Sequence, residues 1–297
     1  MQHHRIDTLR QYLLLIRLPN VFTAPSDIMV GYFATIPLVE TNGFHLASLM
    51  VSSGLLYIAG IVLNDYFDIE VDRRERPFRP LPSGSIPKEH AMAIALAAIA
   101  AANIIALAAS PTSFAMSLTL TAAIIAYDYR LKRGRAAAFS MGSTRFLNVI
   151  LGASIVMSAS SGIGTAIFAA ALLFAYVIAI MILSRKEVGN EKPKVFAAFS
   201  IIFGVIASIV AIGLLVQFQW VFLMNLAIFT AVMAVIFKQL LTATSGSSVP
   251  QAVKNMVLSI IILDSVFVAG TAGLLYSLST LLFIIPAVLL AKKLYVT

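Results

Sequence analysis

Asn64, Asp65, Asp68 and Asp72 stand close together at the end of a long apolar run, and Arg73, Arg74, Arg76 and Arg79 follow at once. With about 100° of turn per helical residue, the first four would fall within an arc of roughly 100°, presenting three carboxylates and an amide on one face. Oxygen donors with no histidine or cysteine beside them suit Mg²⁺, which binds one or two carboxylates directly and completes its shell with water and phosphate oxygens. The three carboxylates repel one another unless a cation or basic partners hold them. The guanidinium groups that follow suit phosphate oxygens, and Pro77, Pro80 and Pro82 stop the helix and stiffen the loop that carries them. For any one of these residues a solvated helix cap is the plainer reading. The cluster as a whole predicts a metal-diphosphate site.

Such a cluster is costly in this chain. Of its 297 residues 60% are hydrophobic and 11% charged, with a mean hydropathy of +0.95, the composition of an integral membrane protein. Apolar runs long enough to cross about 30 Å of hydrocarbon fall at roughly 20–38, 45–64, 88–108, 111–128, 140–159, 163–183, 195–216, 219–237 and 256–276, with a tenth, shorter candidate at 279–291. They lack the alternation of barrel strands, so the expected fold class is all-α. A single transmembrane bundle of about nine helices, or ten with the shorter candidate, is expected to fill 1–297, with residues 1–19 as an interfacial helix. Gly54, Gly60, Gly152, Gly204 and Gly213 would let helices approach closely.

Basic residues gather after the second, fourth and sixth runs, and the intervening loops carry almost none. The positive-inside rule puts the basic loops, the N-terminus and the acidic cluster on the cytoplasmic side; the expected membrane is a bacterial or archaeal cell membrane. Topology and contact with membrane lipids or an anionic substrate account for the net charge of +8; no nucleic-acid motif accompanies it. The chain has no cysteine, which excludes disulfides, thiolate metal sites and cysteine nucleophiles. Oligomeric state leaves no mark in the sequence.

Asn64-Asp65-x-x-Asp68-x-x-x-Asp72, followed by Arg76-Pro77-x-Arg79-Pro80-Leu81-Pro82-Ser83-Gly84, resembles the first signature of the UbiA family of intramembrane prenyltransferases. Tyr127 to Arg133 resembles the family's tyrosine and Leu-Lys-Arg segment, and Arg145 and Asn148 its polar pair in the fifth helix. Leu18 to Asp27 and Ser184 to Val188 resemble a bacterial subgroup, the EboC-like members. The resemblance implies transfer of an isoprenyl group from an allylic prenyl diphosphate to a small lipophilic or aromatic acceptor, with Mg²⁺ as cofactor. It implies catalytic roles for Asp65, Asp68, Asp72, Lys132 and Arg145. Substrate contacts would come from Asn20, Asn64, Arg76, Arg79, Asp128, Arg133, Asn148, Ser184, Arg185 and Glu187, and metal contacts from Asn64, Asp65, Asp68, Asp72 and Glu187.

One departure matters: the family's second aspartate-rich motif reads Ser184-Arg185-Lys186-Glu187 here, leaving Glu187 as its one carboxylate and putting a second metal ion in question. The altered motif keeps a non-catalytic prenyl-lipid-binding protein in view. A lipid carrier or transporter is the other class, although its polar groups would sit nearer mid-membrane. Asp27 and Asp264 lie inside apolar runs, where an ionisable group is expensive. Either could contact an acceptor or simply bond to a neighbouring helix.

Overall fold

The computed structural model describes residues 2–134, 136–156, 162–184, 195–216, 220–242 and 248–294. Arg185 and Glu187 lie outside them, and Arg133 is described by its backbone alone.

Every regular element among these residues is helical. An N-terminal helix, α1 (Gln2–Leu15), leads through a short turn, α2 (Leu18–Val21), into α3 (Thr23–Thr35). Then come α4 (Gly43–Phe67), α5 (Ile69–Glu75), α6 (Lys88–Ala109), α7 (Pro111–Tyr129) and α8 (Ala137–Ala153). The second half holds α9 (Ile163–Ser184), α10 (Val195–Val216), α11 (Trp220–Thr242), α12 (Ser248–Leu282) and α13 (Ile284–Leu294). Eight helical stretches among the described residues are long and apolar enough to cross a membrane.

Helix α7 is not among the eight because serines and threonines dilute its hydropathy, yet its contacts run the length of the bundle. At one end Ser113 bonds Ser154, just past α8, at 2.7 Å; in the middle Asn103 donates to Thr121 at 3.2 Å. At the other end Asn64 donates to Asp128 at 2.9 Å. Ser113, Thr121 and Asp128 thus turn inward and bond to neighbouring helices, away from lipid.

The last helical stretch, Ser248–Leu294, is 47 residues long, too long for one crossing at about 1.5 Å per residue. Gly273, with φ 75°, breaks it. Partners on α3 show the chain turning back: Asp264 meets Ser26, Tyr276 stacks near Phe33, Thr280 reaches Met29, and α13 packs on α2. The sequence's short tenth candidate is thus the returning limb.

Helices α3 and α8 touch backbone to backbone. A Cβ at Gly31 would sit 1.8 Å from the Val149 carbonyl oxygen, and one at Gly152 would sit 2.3 Å from that of Ile28. Gly152 does what the sequence predicts of it, whereas a Cβ at Gly204 would meet nothing within 4 Å. A second, smaller apolar cluster, Leu15, Val62, Leu63, Leu81, Ile86, Ala91 and Ala95, ties α1, the end of α4 and the start of α6 together beneath the acidic segment.

Candidate functional site

The acidic cluster sits where α4 stops. Backbone N–H groups of Asp68 and Asp72 still donate four residues back, to Asn64 and Asp68, at 3.1 and 2.8 Å. Asp68 itself leaves helical geometry (φ −99°, ψ 7°), so the chain bends there and Asp72 begins from α5. The bend alters the single four-residue face expected from an unbroken helix. Asp65 and Asp72 turn inward, each 3% exposed, whereas Asp68 points into an open chamber.

Basic side chains meet all three carboxylates. Arg79 Nη1 lies 2.7 Å from Asp72 Oδ2 and 3.2 Å from Asp65 Oδ1, joining them through one nitrogen. Arg17 Nη2 donates to the same Asp65 oxygen at 2.6 Å. Lys132 Nζ lies 2.7 Å from Asp68 Oδ2 and donates to the Asn64 carbonyl at 3.1 Å, which also places a cation on the exposed carbonyl end of α4. Arg76 is farther off, 4.0 Å from Asp72.

Local sequence explains how these groups are held. Pro80 and Leu81 are buried within the proline-rich loop, and Leu81 and Ile86 plug into the small apolar cluster beneath it. The Ser83 and Ile86 N–H groups donate to the Arg79 and Pro80 carbonyls, and Gly84 takes the φ of 74° that the turn requires. Arg79 therefore projects from a pinned loop. Arg17 has the only positive φ (46°) of any non-glycine residue among those described; the kink between α1 and α2 swings its side chain over Asp65.

Two cavities join here. The outer one, about 430 Å³, is lined by Asp68, Asp72, Glu75, Arg76, Arg79 and Lys132, among others. The inner one, about 220 Å³, is walled largely by apolar groups such as Leu56, Ile61, Leu120, Ile124 and Met141. Arg17, Asn64 and Tyr127 line both and form the neck between them.

The donor set of the outer chamber is all oxygen, as Mg²⁺ requires. Among the described residues, no three acidic or histidine groups converge as a ready-made cage, a correction to the face of three carboxylates and an amide expected from sequence. Asn64 turns its side-chain amide to Asp128 instead. What fits is an ion held by one or two of these carboxylates and completed by water and phosphate oxygens.

Deeper in, Arg145 donates to Asp27 Oδ2 (2.9 Å) and to the Thr23 carbonyl and hydroxyl (3.0 and 2.7 Å). Asn148 donates to Asp27 Oδ2 (2.8 Å) and accepts from Ser53 (2.7 Å). Both line the inner cavity, and the Arg145 guanidinium sits 5.0 Å from the centre of the Tyr57 ring, within cation–π range. Asp128 lines the same cavity while bonded to Asn64.

Of the residues singled out from sequence, Asn64, Asp68, Asp72, Arg76, Arg79 and Lys132 line the outer chamber, and Asp65 lies against it. Asn64, Asp128, Arg145 and Asn148 line the inner cavity. Asn20 is half-buried in α2 and lines neither. Ser184 ends α9, with its hydroxyl donating to the Met181 carbonyl at 3.2 Å. Sequence reasoning missed Arg17 and Tyr127 as neck residues; Tyr127 lay inside a quoted motif, whereas nothing local to Arg17 signalled its reach to Asp65.

Residues 26–259 match the model of the UbiA prenyltransferase family. The digeranylgeranylglyceryl phosphate synthase of Saccharolobus solfataricus is 35% identical over 131 residues, 42% of this chain and 44% of that protein. Its counterpart in Methanocaldococcus jannaschii is 42% identical over 86 residues, 27% of this chain and 28% of that protein. The chain thus spans less than half the length of these relatives. Among solved structures, the apo form of a UbiA homologue from Aeropyrum pernix K1 has a TM-score of 0.68 at 16% identity, covering 84% of this chain and 97% of that one. A homologue from Archaeoglobus fulgidus bound to GPP and Mg²⁺ has a TM-score of 0.62 at 16% identity, covering 86% and 99%. At these identities the structural likeness concerns the fold.

Proposed function

Because the chain belongs to the UbiA prenyltransferase family, we propose that it transfers an isoprenyl group from an allylic prenyl diphosphate to a lipid-soluble acceptor. The observation that carries this reading is the joined pair of cavities, one ringed by carboxylates, guanidinium groups and an ammonium, the other walled largely by apolar groups. A diphosphate head suits the first and a prenyl tail the second, with the allylic carbon at the neck beside Arg17, Asn64 and Tyr127.

Asp65, Asp68 and Asp72 are the groups to hold Mg²⁺. Bound there, the ion would supply positive charge to the diphosphate as a leaving group. Arg79, Arg17 and Lys132 neutralise the carboxylates in the free protein; an arriving diphosphate competes for those cations, which then bind phosphate oxygens. The C1–O bond breaks with its electrons going to diphosphate, and the acceptor's nucleophile bonds to C1 as its O–H or C–H bond breaks, the proton passing to the departing diphosphate or to solvent. Apolar walls keep water from the cationic carbon.

The digeranylgeranylglyceryl phosphate synthases that the chain resembles suggest a glyceryl phosphate lipid as the first acceptor to try. By the positive-inside rule the chamber end, which carries Arg73 to Lys88 and Arg130 to Arg133, faces the cytoplasm. The test is mass spectrometry of lipid extracts from cells with and without the gene. A prenylated species should disappear on deletion and return with the wild-type gene. Identical lipid profiles would leave prenyl-lipid binding without turnover as the better account.

A further inference from the structure

Asp128, near the end of α7, is 1% exposed and is the one carboxylate among the described residues that line the inner cavity. Its Oδ1 accepts from the Asn64 side-chain amide at 2.9 Å. Its Oδ2 lies toward Gly60, 3.9 Å from where a Cβ on that glycine would stand. Gly60 lines the same cavity and has no side chain to cover the oxygen. Holding Asn64 needs only an acceptor oxygen, which an asparagine would supply without setting an ionisable group in a largely apolar wall. A carboxylate in that place calls for a second role.

Its position supplies one. Asn64, its hydrogen-bond partner, and Tyr127, its chain neighbour, form the neck with Arg17. Asp128 therefore stands just inside the point where the allylic carbon is placed, with diphosphate departing outward. A nucleophile that attacks opposite the leaving group comes from the inner side and sheds its proton there. Arg145, Ser53 and Thr144 on the same walls act as donors, to Asp27, to Asn148 and to the Met141 carbonyl, and the carboxylate is the natural proton acceptor among these groups.

We propose that Asp128 is a catalytic residue that receives the acceptor's proton, and that the acceptor is accordingly an alcohol or a phenol. The inference rests on the prenyl transfer proposed above. As the acceptor oxygen bonds to C1, its O–H bond breaks with the electrons staying on oxygen, and the proton moves to Asp128 Oδ2. Asp128 then passes it through the neck to solvent or to the departing diphosphate.

Asp128→Asn keeps an acceptor for Asn64 and loses the group that takes a proton. Purified wild type and this variant are given radiolabelled geranylgeranyl diphosphate, Mg²⁺ and a membrane lipid extract, either native or acetylated to cap its hydroxyl groups, and binding of the diphosphate is read separately by calorimetry. Asp128→Asn should bind within about twofold of wild type yet transfer label at least about tenfold more slowly, and the acetylated extract should take no label from wild type. A role confined to holding Asn64 predicts wild-type transfer in Asp128→Asn, and that result overturns the proposal. Loss of diphosphate binding in the variant, or equal labelling of the acetylated extract, overturns it too. If wild type labels neither extract, the prenyl-transfer reading falls and this inference with it; if wild type labels the native extract and the variant matches it, this inference alone falls.

Discussion

Arg79 joins Asp65 and Asp72 through a single nitrogen, so it is both a strut of the free site and a candidate phosphate ligand. Arg79→Ala should weaken Mg²⁺-dependent binding of geranylgeranyl diphosphate by roughly tenfold to a hundredfold, the span expected for one or two charge-assisted hydrogen bonds. Arg79→Lys should recover little, because an ammonium lacks the planar fork. Equal affinity in all three proteins, read by calorimetry, would remove Arg79 from the clamp. At Ser184 the expectation is a lower Mg²⁺ requirement for turnover in Ser184→Asp, which restores a carboxylate to the altered second motif; an unchanged titration would argue against a second ion there. The acidic and basic residues of the chamber were legible because charge is rare in this chain and clusters at one place. Their pairing was not, since Arg17 and Lys132 are remote in sequence from the carboxylates they meet, and one of them depends on a left-handed backbone residue that no local signal marks.

The proline-rich loop and the α3–α8 contact are the elements that carry the site. Leu81 is 4% exposed under that loop, and Leu81→Ala should cost about 2–5 kcal/mol of local stability, loosening Arg76 and Arg79 together. Faster proteolysis within 76–86, with weakened diphosphate binding, is the expected outcome; an unchanged cleavage pattern would mean that the loop is held otherwise. Gly31→Ala should abolish a stable fold, because its Cβ would lie on a backbone oxygen, whereas Gly54→Ala, whose nearest neighbour would be Val21 Cγ1 at 3.7 Å, should be nearly silent in thermal melting. Sequence named Gly54 and Gly152 alike as contact glycines and did not name Gly31. Small residues mark possible approaches, but the neighbour that makes an approach real lies more than a hundred residues away.

At the scale of the molecule, hydropathy exposed the helical bundle, with α7 among its runs at 111–128 and the returning limb among them at 279–291. What it left open was packing: which partners on α6 and α8 the polar residues of α7 meet, and that the chain reverses at Gly273. Orientation is testable because the chain has no cysteine. Arg74→Cys and Arg130→Cys should be labelled from the cytoplasmic side, and Val39→Cys, at the connection between α3 and α4, from the opposite side. The central claim is prenyl transfer at the first acidic motif, and the most direct measurement follows radiolabelled geranylgeranyl diphosphate through purified wild-type protein and Asp68→Asn with membrane lipid extract, with and without Mg²⁺. In Asp68→Asn the Lys132 ammonium keeps its hydrogen bond to the Asn64 carbonyl, and a thermal melt of the two proteins checks that both are folded. The account predicts Mg²⁺-dependent diphosphate release with label entering a lipid in wild type and neither in Asp68→Asn. Equal turnover in the two proteins, or none in wild type, would contradict it.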